Sequence, residues 1–245
     1  MLSFIVQARL GSTRLPGKIL LPFHEGKSIF DLMLDKLTSI PGVDCIVATS
    51  VAGANDKLED ICTARGVKCF RGSEDDVLQR FIDAARHFGV DRIIRVCSDN
   101  PFLNVPAIKE LVQRAGSSDA DYISFDVGGT PSIRTHYGFW TEYVTLGALA
   151  KVKDLTAERL YHEHVTNFIY SHPDDFRIEW IQVPPVILDR SDVRLTIDTM
   201  QDFENARRIY SEIDDRDSFE SLFAYIASHP ELSDSMKHQI ISNSK

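Results

Sequence analysis

Residues 7–18 read Gln-Ala-Arg-Leu-Gly-Ser-Thr-Arg-Leu-Pro-Gly-Lys and continue from an apolar run that begins at Leu2. An apolar run of this length that stops at Arg9 and Gly11 is typical of a buried strand. The segment after it then lies at the carboxyl end of a parallel sheet, where open α/β sheets bind ligands. Its cations, hydroxyl groups and glycines can all approach an anion. The segment predicts a phosphate-binding loop, with a solvated surface turn as the alternative.

Two familiar phosphate-binding motifs differ from this loop. The P-loop has four residues between its glycines and then Lys followed by Ser or Thr. Here five residues separate Gly11 from Gly17, and Ile19 follows the lysine. Pro22 also stops a helix from beginning where the P-loop requires one. The dinucleotide fingerprint Gly-x-Gly-x-x-Gly is absent as well.

Charge is distributed unevenly along the 245 residues. The 27 Lys and Arg against 36 Asp and Glu give a net charge of −9, which argues against nucleic acid and anionic membranes as partners. Arg9, Arg14 and Lys18 are nevertheless the only charged residues before Glu25, so a single triphosphate remains compatible with the sequence. We see neither a bilayer-spanning apolar run nor a signal peptide, and no Cys-x-x-Cys pair. A cytoplasmic protein with reduced cysteines is expected.

Strand-like and helix-like segments alternate through the first half of the chain. Helices are predicted over residues 28–39, 55–65 and 106–115, and from Ser73, where Asp76 resembles the second residue of a capping box. This alternation predicts an α/β fold with a mostly parallel sheet covered on both faces, and one domain over residues 1–245. The pattern loosens between residues 121 and 185, where an irregular insertion is expected. A last strand is predicted over residues 194–198, and a peripheral polar tail after Ser228.

The loop closely resembles the signature Ala-Arg-x-x-Ser-Thr-Arg-Leu-Pro-Gly-Lys of the sugar cytidylyltransferases, at its nine fixed positions. That family includes synthetases that activate 3-deoxy-manno-octulosonate and acylneuraminates with CTP. The chain is most similar to the spore coat polysaccharide biosynthesis branch, whose further strings match Gly72–Leu78, Glu163–Thr166 and Arg194–Thr199. The resemblance runs from residue 5 to about 210. It implies a three-layer, Rossmann-like nucleotide-diphospho-sugar transferase fold.

The resemblance also implies which residues bind the nucleotide. Arg9, Arg14 and Lys18 would bind the triphosphate of CTP, and Arg14 and Lys18 would stabilise charge during the reaction. The other predicted nucleotide-binding residues lie in the loop or beside it: Ala8, Gly11, Ser12, Thr13, Ser73, Arg80 and Ser98.

Two aspartates at predicted strand ends are candidates for holding Mg²⁺, which proteins bind with one or two carboxylates, phosphate oxygens and water. Asp99 follows the strand-like residues 93–97, and Asp198 follows residues 195–197. The resemblance implies that both are catalytic metal ligands, although Ser98 stands where the family has glycine. The structural alternatives are a turn residue for Asp99 and a neighbour of a helix cap for Asp198.

The sugar-binding side is where the chain departs from the branch. The branch has Asp-Gly-Leu-Asp-Val-Glu where residues 135–142 read Thr-His-Tyr-Gly-Phe-Trp-Thr-Glu. An acidic sugar could pair with basic residues here, and ordinary loop residues are the alternative. The predicted acceptor-binding residues are Arg134, His136, Tyr137, Glu142, Glu163 and His164. Zinc is not expected at His162 and His164, because side chains two apart on a helix diverge.

The implied function is Mg²⁺-dependent transfer of CMP from CTP to a sugar, giving a CMP-sugar and pyrophosphate for surface polysaccharide synthesis. An acidic, ulosonic sugar is the expected acceptor, and a homodimer is expected by analogy. Three alternatives stay open. The chain could be a nucleotidyltransferase with another NTP or with a sugar-phosphate or amino-alcohol-phosphate acceptor, or a non-catalytic nucleotide-binding regulator. A glycosyltransferase is the third, with Asp119-Ala120-Asp121 as a poorly placed Asp-x-Asp motif.

Overall fold

The computed structural model describes residues 1–242. Its strands are β1 Leu2–Gln7, β2 Pro22–His24, β3 Lys27–Ser28, β4 Asp44–Ser50, β5 Lys68–Gly72, β6 Arg92–Cys97, β7 Tyr122–Val127, β8 Thr130–Pro131, β9 Glu142–Thr145 and β10 Ile178–Gln182. Its α-helices are α1 Ile29–Thr38, α2 Asp56–Ala64, α3 Val77–His87, α4 Val105–Ser117, α5 Leu146–Leu155, α6 Arg159–Glu163, α7 Asn167–Ser171, α8 Pro185–Leu188, α9 Met200–Glu212, α10 Phe219–Ala227 and α11 Pro230–Ser242.

The central sheet has the order β10-β7-β9-β6-β1-β4-β5, with β8 paired to β7 at one end. The pairs β1–β4, β1–β6, β4–β5 and β7–β10 are parallel, whereas β9 runs antiparallel to both of its neighbours. The mostly parallel sheet predicted from the alternation of segments is therefore confirmed. Because β1 and β6 are adjacent and parallel, the segments that follow them meet at one edge of the sheet.

Each face of the sheet packs against its own apolar cluster, because successive strand residues point to opposite faces. In β1, Phe4 belongs to the cluster under α1 and α4, and Ile5 belongs to the cluster under α3 and α5. Burial of one such side chain stabilises the fold by about 1.5–3 kcal/mol. The helices are thus held on both faces, which makes the fold three-layered. Within residues 1–242, no helix combines the length and apolar composition that crossing a bilayer requires.

The beginning of α3 corrects one local prediction. Asp76, rather than Ser73, is the residue that caps the helix, since its side chain accepts a hydrogen bond from the backbone N–H of Gln79 at 2.8 Å. Ser73 lies one turn earlier, and its hydroxyl oxygen accepts from the N–H of Asp76 at 3.0 Å. The serine orders the loop before the helix, because the chain is still extended at Asp76.

Residues 121–185, where an irregular insertion is expected, also contribute regular elements to the fold. Three strands of this region, β7, β9 and β10, join the central sheet. The short β9 has no clear strand pattern in the sequence, because it is four residues long and begins with the charged Glu142. Residues 159–171 form two short helices, α6 and α7, since Val165 and Thr166 turn into the interior between them.

Two predictions for the last third of the chain are also corrected. Residues 194–198 form no strand, because their backbone bonds to loops: the N–H groups of Leu195 and Thr196 both donate to the carbonyl of His136, at 2.8 and 3.1 Å. The segment after Ser228 is not a peripheral tail as far as residue 242. It forms α11, whose Leu232 and Met236 are buried in the core.

Candidate active site

The loop after β1 is closed by its own backbone and by one asparagine. The N–H of Gly17 donates to the carbonyl of Leu10 at 3.1 Å, and the N–H of Leu10 donates to Oδ1 of Asn55 at 2.8 Å. Gly17 has φ 68°, a conformation that side chains with a Cβ rarely adopt. The contribution of Asn55 was not found from the sequence, since this residue precedes a different helix and carries no motif.

Leu15 anchors the loop and thereby directs its polar residues outward. The side chain of Leu15 is 8% exposed, and its N–H donates to the hydroxyl oxygen of Ser12 at 3.3 Å. Ala8 is also buried. Positions on either side of Leu15 are exposed or partly exposed, and they include the predicted nucleotide-binding residues Arg9, Gly11, Ser12, Thr13 and Arg14. The loop therefore presents cations, hydroxyl groups and glycine backbone to solvent at the carboxyl edge of the sheet.

Lys18 connects the loop to the first predicted metal ligand. Its Nζ donates to Oδ2 of Asp99 at 2.8 Å and also to the carbonyl of Ile197. Asp99 is positioned from both sides: the N–H of Ser98 donates to the carbonyl of Gln7 at 3.3 Å, and the carbonyl of Asp99 accepts from the N–H of Ile197 at 3.4 Å. These bonds join the ends of β1 and β6 to the segment that carries Asp198.

Asp198 lies between the same cations. Its Oδ1 is 2.8 Å from Nη2 of Arg14 and 3.6 Å from Nζ of Lys18. The side chains of Lys18 and Asp198 are only 12% and 13% exposed, whereas the side chain of Arg14 is 47% exposed. Four predicted catalytic residues from three distant segments thus meet in one partly buried ion-pair network. Charges in such a network are screened less than surface charges.

Arg194 is a member of this network that the sequence reasoning missed. Its side chain is fully buried and binds Oδ2 of Asp198 at 2.8 Å, and it also binds Oδ1 and Oδ2 of Asp202 at 2.8 and 3.3 Å. Burial lowers the pKa of the Arg194 guanidinium, but the hydrogen bonds and charges of Asp202 and Asp198 more than offset this and raise it above its ordinary value. The spacing of four residues between Arg194, Asp198 and Asp202 was the available signal, although Arg194 precedes α9.

The donor set fits a divalent cation of the magnesium type. Oxygens of Asp99 and Asp198 both lie around one positive group, the ammonium of Lys18, at 2.8 and 3.6 Å. Two carboxylates with room for phosphate oxygens are the usual Mg²⁺ ligands of an enzyme that binds a nucleotide. Among the described residues no cluster of three or more His, Cys, Asp or Glu could hold a metal by itself. A cation here would therefore depend on ligands from a bound nucleotide and water.

The remaining predicted nucleotide-binding residues are Ser73, Arg80 and Ser98, and all three are buried or partly buried. Ser98 is buried, and Ser73 is partly buried before α3. Arg80 is fully buried and donates to the backbone carbonyls of Ser73 and Glu74, while its Nε and one Nη have no hydrogen-bond partner in the described chain. Burial and the charge of Arg9 lower the pKa of Arg80 to about 10. Arg80 is thus still a cation at neutral pH, and it holds the β5–α3 loop next to the loop cations.

Two of the predicted acceptor-binding residues are interior residues, which corrects their assignment to the sugar-binding surface. Glu142 is 2% exposed, and its carboxylate accepts hydrogen bonds from Arg95, Tyr122 and Thr166. Burial and the charge of Glu142 raise the pKa of the Tyr122 hydroxyl well above its ordinary value. Tyr137 is 4% exposed, and its hydroxyl donates to the carbonyl of Ile187 at 3.1 Å. Their polar groups already have internal partners, so they are not available to a sugar.

The other four predicted acceptor-binding residues are more accessible. Arg134 and His164 are exposed, and the carboxylate of Glu163 lies 4.0 Å from the guanidinium of Arg9. His136 is partly buried, and its Nδ1 is 2.8 Å from Nη1 of Arg194. A guanidinium can only donate, so Nδ1 of His136 is the acceptor. His136 therefore supports the carboxylate network, whereas Glu163 lies beside Arg9 of the loop.

His162 is fixed by contacts that have no relation to metal binding. Its Nδ1 is 2.8 Å from Oδ2 of Asp76, and its Nε2 is 3.0 Å from the carbonyl of Thr156. Both partners are acceptors, so the protonated ring with two donors satisfies both. The bond to Thr156, and next to it Asp76, raise the pKa of His162 although burial opposes the shift. The residue attaches α6 to the beginning of α3.

The comparison with protein families agrees with this geometry. The family model described as cytidylyltransferase matches residues 3–231. The chain belongs to the cytidylyltransferase family. It is similar to a solved cytidylyltransferase from Leptospira borgpetersenii, with a TM-score of 0.81, 29% identity, and coverage of 94% of this chain and 95% of that one.

Two curated relatives extend the comparison. The spore coat polysaccharide biosynthesis protein SpsF of Bacillus subtilis is 32% identical over 219 residues, which cover 87% of this chain and 88% of SpsF. An uncharacterized protein of Methanocaldococcus jannaschii is 36% identical over 201 residues, which cover 82% of this chain and 79% of that protein. The predicted family, fold and enzyme class are confirmed: the chain is a nucleotidyltransferase of the cytidylyltransferase type.

Proposed function

We propose that this cytidylyltransferase transfers CMP from CTP to an acidic, ulosonic sugar in a Mg²⁺-dependent reaction, releasing pyrophosphate. The observation that carries the proposal is the meeting of Arg14, Lys18, Asp99 and Asp198 at the carboxyl edge of the sheet. The two cations can bind phosphates, and the two carboxylates can bind a metal ion. Parallel sheets bind nucleotides at this edge.

The residues of the loop would bind and orient the triphosphate. Arg14 and Lys18 would transfer their hydrogen bonds from the aspartates to phosphate oxygens, which places positive charge where negative charge increases during nucleotidyl transfer. Lys18 is the more buried of the two, so its charge acts in a less screened environment. The glycines of the loop let backbone N–H groups approach the phosphates closely. Ala8 and the β5–α3 loop next to Arg80 would then lie beside the nucleoside.

Asp99 and Asp198, freed from those cations, would hold Mg²⁺ together with phosphate oxygens. When bound there, a metal ion would supply charge neutralisation at the reacting phosphate. The sugar hydroxyl oxygen would attack the α-phosphorus from the side opposite to the pyrophosphate and release its proton to water, while the bond between the α-phosphorus and its bridging oxygen breaks and pyrophosphate leaves. The exchange of partners keeps the network close to neutral in the free and the bound protein, so neither state buries an unpaired charge.

The acceptor side is proposed to use the accessible members of the predicted set. Arg134 offers an exposed cation for the carboxylate of an acidic sugar. Glu163 at the end of α6 lies beside Arg9, and His164 follows it in the chain. The relative SpsF, named for spore coat polysaccharide biosynthesis, supports a CMP-sugar destined for a surface polysaccharide. A homodimer and a cytoplasmic location stay predictions.

Pyrophosphate release tests the proposal. The enzyme is incubated with each of the four NTPs, Mg²⁺ and a panel of ulosonic acids, sugar phosphates and amino-alcohol phosphates, and product is identified by mass. We expect turnover with CTP and at least one ulosonic acid, and loss of turnover in EDTA. Turnover restricted to another NTP or to phosphorylated acceptors would replace the CTP or the sugar assignment. Absence of turnover together with absence of a CTP-induced thermal shift would overturn the proposal.

A further inference from the structure

Arg194 is the most buried charged group of the carboxylate network, and none of its contacts is with solvent. Its side chain has a relative exposure of 0%, compared with 13% for Asp198 and 2% for Asp202. A buried guanidinium without well-placed acceptors would strongly destabilise the fold. Here it has acceptors on three residues: Asp198, Asp202 and His136. This concentration of hydrogen bonds on one side chain needs an explanation beyond general packing.

The two oxygens of the Asp198 carboxylate have different partners. Oδ2 is bound to the buried Arg194 at 2.8 Å, whereas Oδ1 lies on the side of the more exposed Arg14, at 2.8 Å, and of Lys18, at 3.6 Å. Arg194 thus fixes the rotation of the carboxylate. Oδ1 points to the groups that a metal and a nucleotide would replace. The carboxylate is oriented before any ligand binds.

Arg194 itself is fixed by elements on two sides. Asp202 in the first turn of α9 accepts from Nε of Arg194 and from the N–H groups of Asp198 and Thr199, at 2.8, 3.0 and 2.8 Å. On the other side, His136 accepts from Nη1 of Arg194, and its carbonyl accepts from Leu195 and Thr196. The loop that carries Arg134 is therefore attached to the segment of Asp198 by two backbone hydrogen bonds and, through Arg194, to the Asp198 carboxylate itself.

We propose that Arg194 is a positioning residue that holds Asp198 with one oxygen presented to the metal and connects this carboxylate to the acceptor-side loop through His136. The inference rests on the proposed function, because it assigns Asp198 to metal binding. It requires arginine itself. The planar guanidinium reaches three acceptors in fixed directions, whereas a lysine ammonium is a point charge on a flexible chain and cannot reproduce that fork.

The test measures how strongly Mg²⁺ increases the affinity for CTP. Calorimetric titration with CTP and no acceptor is performed on wild type and Arg194→Lys, once with Mg²⁺ and once with EDTA. In the wild type, Mg²⁺ should tighten CTP binding by at least about tenfold. In Arg194→Lys this increase should fall by roughly tenfold, the usual effect of removing a group that orients a metal ligand. The affinity measured in EDTA should stay within about twofold of wild type, because Arg14 and Lys18 are retained.

Arg95→Lys is the matched control, because Arg95 is also a buried arginine bound to a carboxylate, that of Glu142, and touches neither aspartate of the network. It should lower the melting temperature and leave the effect of Mg²⁺ unchanged. His136→Leu is the second variant, for the case that Arg194→Lys does not fold. It keeps the bond between Arg194 and Asp198 but removes the third acceptor, and the effect of Mg²⁺ should decrease by roughly threefold.

Each outcome decides one question. Equal weakening of CTP binding with and without Mg²⁺ in Arg194→Lys, or no change in either, would show a purely structural arginine and overturn the inference while leaving the proposed function intact. If Arg194→Lys does not fold, an unchanged effect of Mg²⁺ in His136→Leu overturns it instead. A wild type that binds no CTP under any condition would remove the proposed function, and the inference with it.

Discussion

The residues of the nucleotide side and of the acceptor side are both predicted from short sequence motifs. The structure agrees with the two predictions to different degrees. Arg14, Lys18, Asp99 and Asp198 meet within a few hydrogen bonds of one another. The six residues predicted to bind the acceptor differ in exposure: Glu142 and Tyr137 are interior residues, while Arg134 and His164 are exposed.

The difference follows from how each side is built. The nucleotide loop is one continuous segment that closes on itself, so local chemistry determines most of it. The acceptor side is assembled from β9, the loop before it and the α6–α7 break, which are far apart in sequence. A residue there faces the sugar or the core according to strand register, and the register of β9 pairs Glu142 with Arg95. Site residues in a continuous sequence motif can therefore be predicted more reliably than site residues whose orientation depends on strand register.

Neutralising the two carboxylates of the nucleotide side should have the largest effect on turnover. Asp99→Asn and Asp198→Asn keep the shape but remove the charge that a metal requires, so turnover should fall by at least about 10³-fold. Pyrophosphate release measures this, with melting temperature as the control for folding. Asp119→Asn, in the Asp-x-Asp string, should leave turnover within about twofold. A large loss in Asp119→Asn at an unchanged melting temperature would contradict the assignment of the metal to Asp99 and Asp198.

Glu142→Ala should separate structure from catalysis on the acceptor side. It leaves Arg95 buried without its carboxylate, a change that typically costs 3–5 kcal/mol of unfolding free energy, so we expect about 3 kcal/mol in urea denaturation. The exposed Arg134→Ala should leave unfolding unchanged and raise the KM of the acceptor by roughly tenfold, as expected for a charge-assisted hydrogen bond. If Glu142→Ala raises the KM of the acceptor without any loss of stability, Glu142 belongs to the sugar-binding surface after all.

The two loop cations should differ in effect according to burial. Lys18→Met removes a 12% exposed charge that contacts both aspartates, and kcat/KM for CTP should fall by about 100-fold. Arg14→Met removes a 47% exposed charge, which solvent screens more, and should lower kcat/KM by about tenfold. Steady-state kinetics at fixed Mg²⁺ compares them. The reverse order would mean that the triphosphate lies toward Arg14, away from the buried edge.

His162 gives the smallest and most pH-dependent effect. Because the folded protein raises the pKa of His162, its stabilisation is complete below the ordinary histidine pKa of about 6.5 and is lost as the pH rises through the raised value. His162→Gln should therefore lower the melting temperature by a few degrees at pH 5.5 and by less at pH 9. Thermal denaturation at both values, on wild type and variant, measures the difference. An equal decrease at both values would show that the charge of His162 is not involved.

Much of the first half of the fold could be predicted from the sequence. Apolar runs predict the strands β1, β4 and β6, and helical periodicity predicts the helices between them. The cations and glycines of the loop after β1 predict its role. Asp99 could be found because it follows such a strand directly. Asp198 was predicted for a partly wrong reason, since residues 194–198 are held by loop carbonyls and form no strand.

By itself, the sequence determined the α/β alternation, the family and the segment that presents cations to a nucleotide, because each depends on residues close together in the chain. Only the tertiary structure decided that Glu142 is buried, that β9 enters the sheet in reverse, and that Arg194 orients Asp198. Those outcomes depend on pairings between residues 4 to 58 positions apart. The partner that satisfies a buried charge is chosen by spatial proximity after the layers have packed; the spacing of Arg194 and Asp198 is a local signal, but no local pattern pairs Glu142 with Arg95.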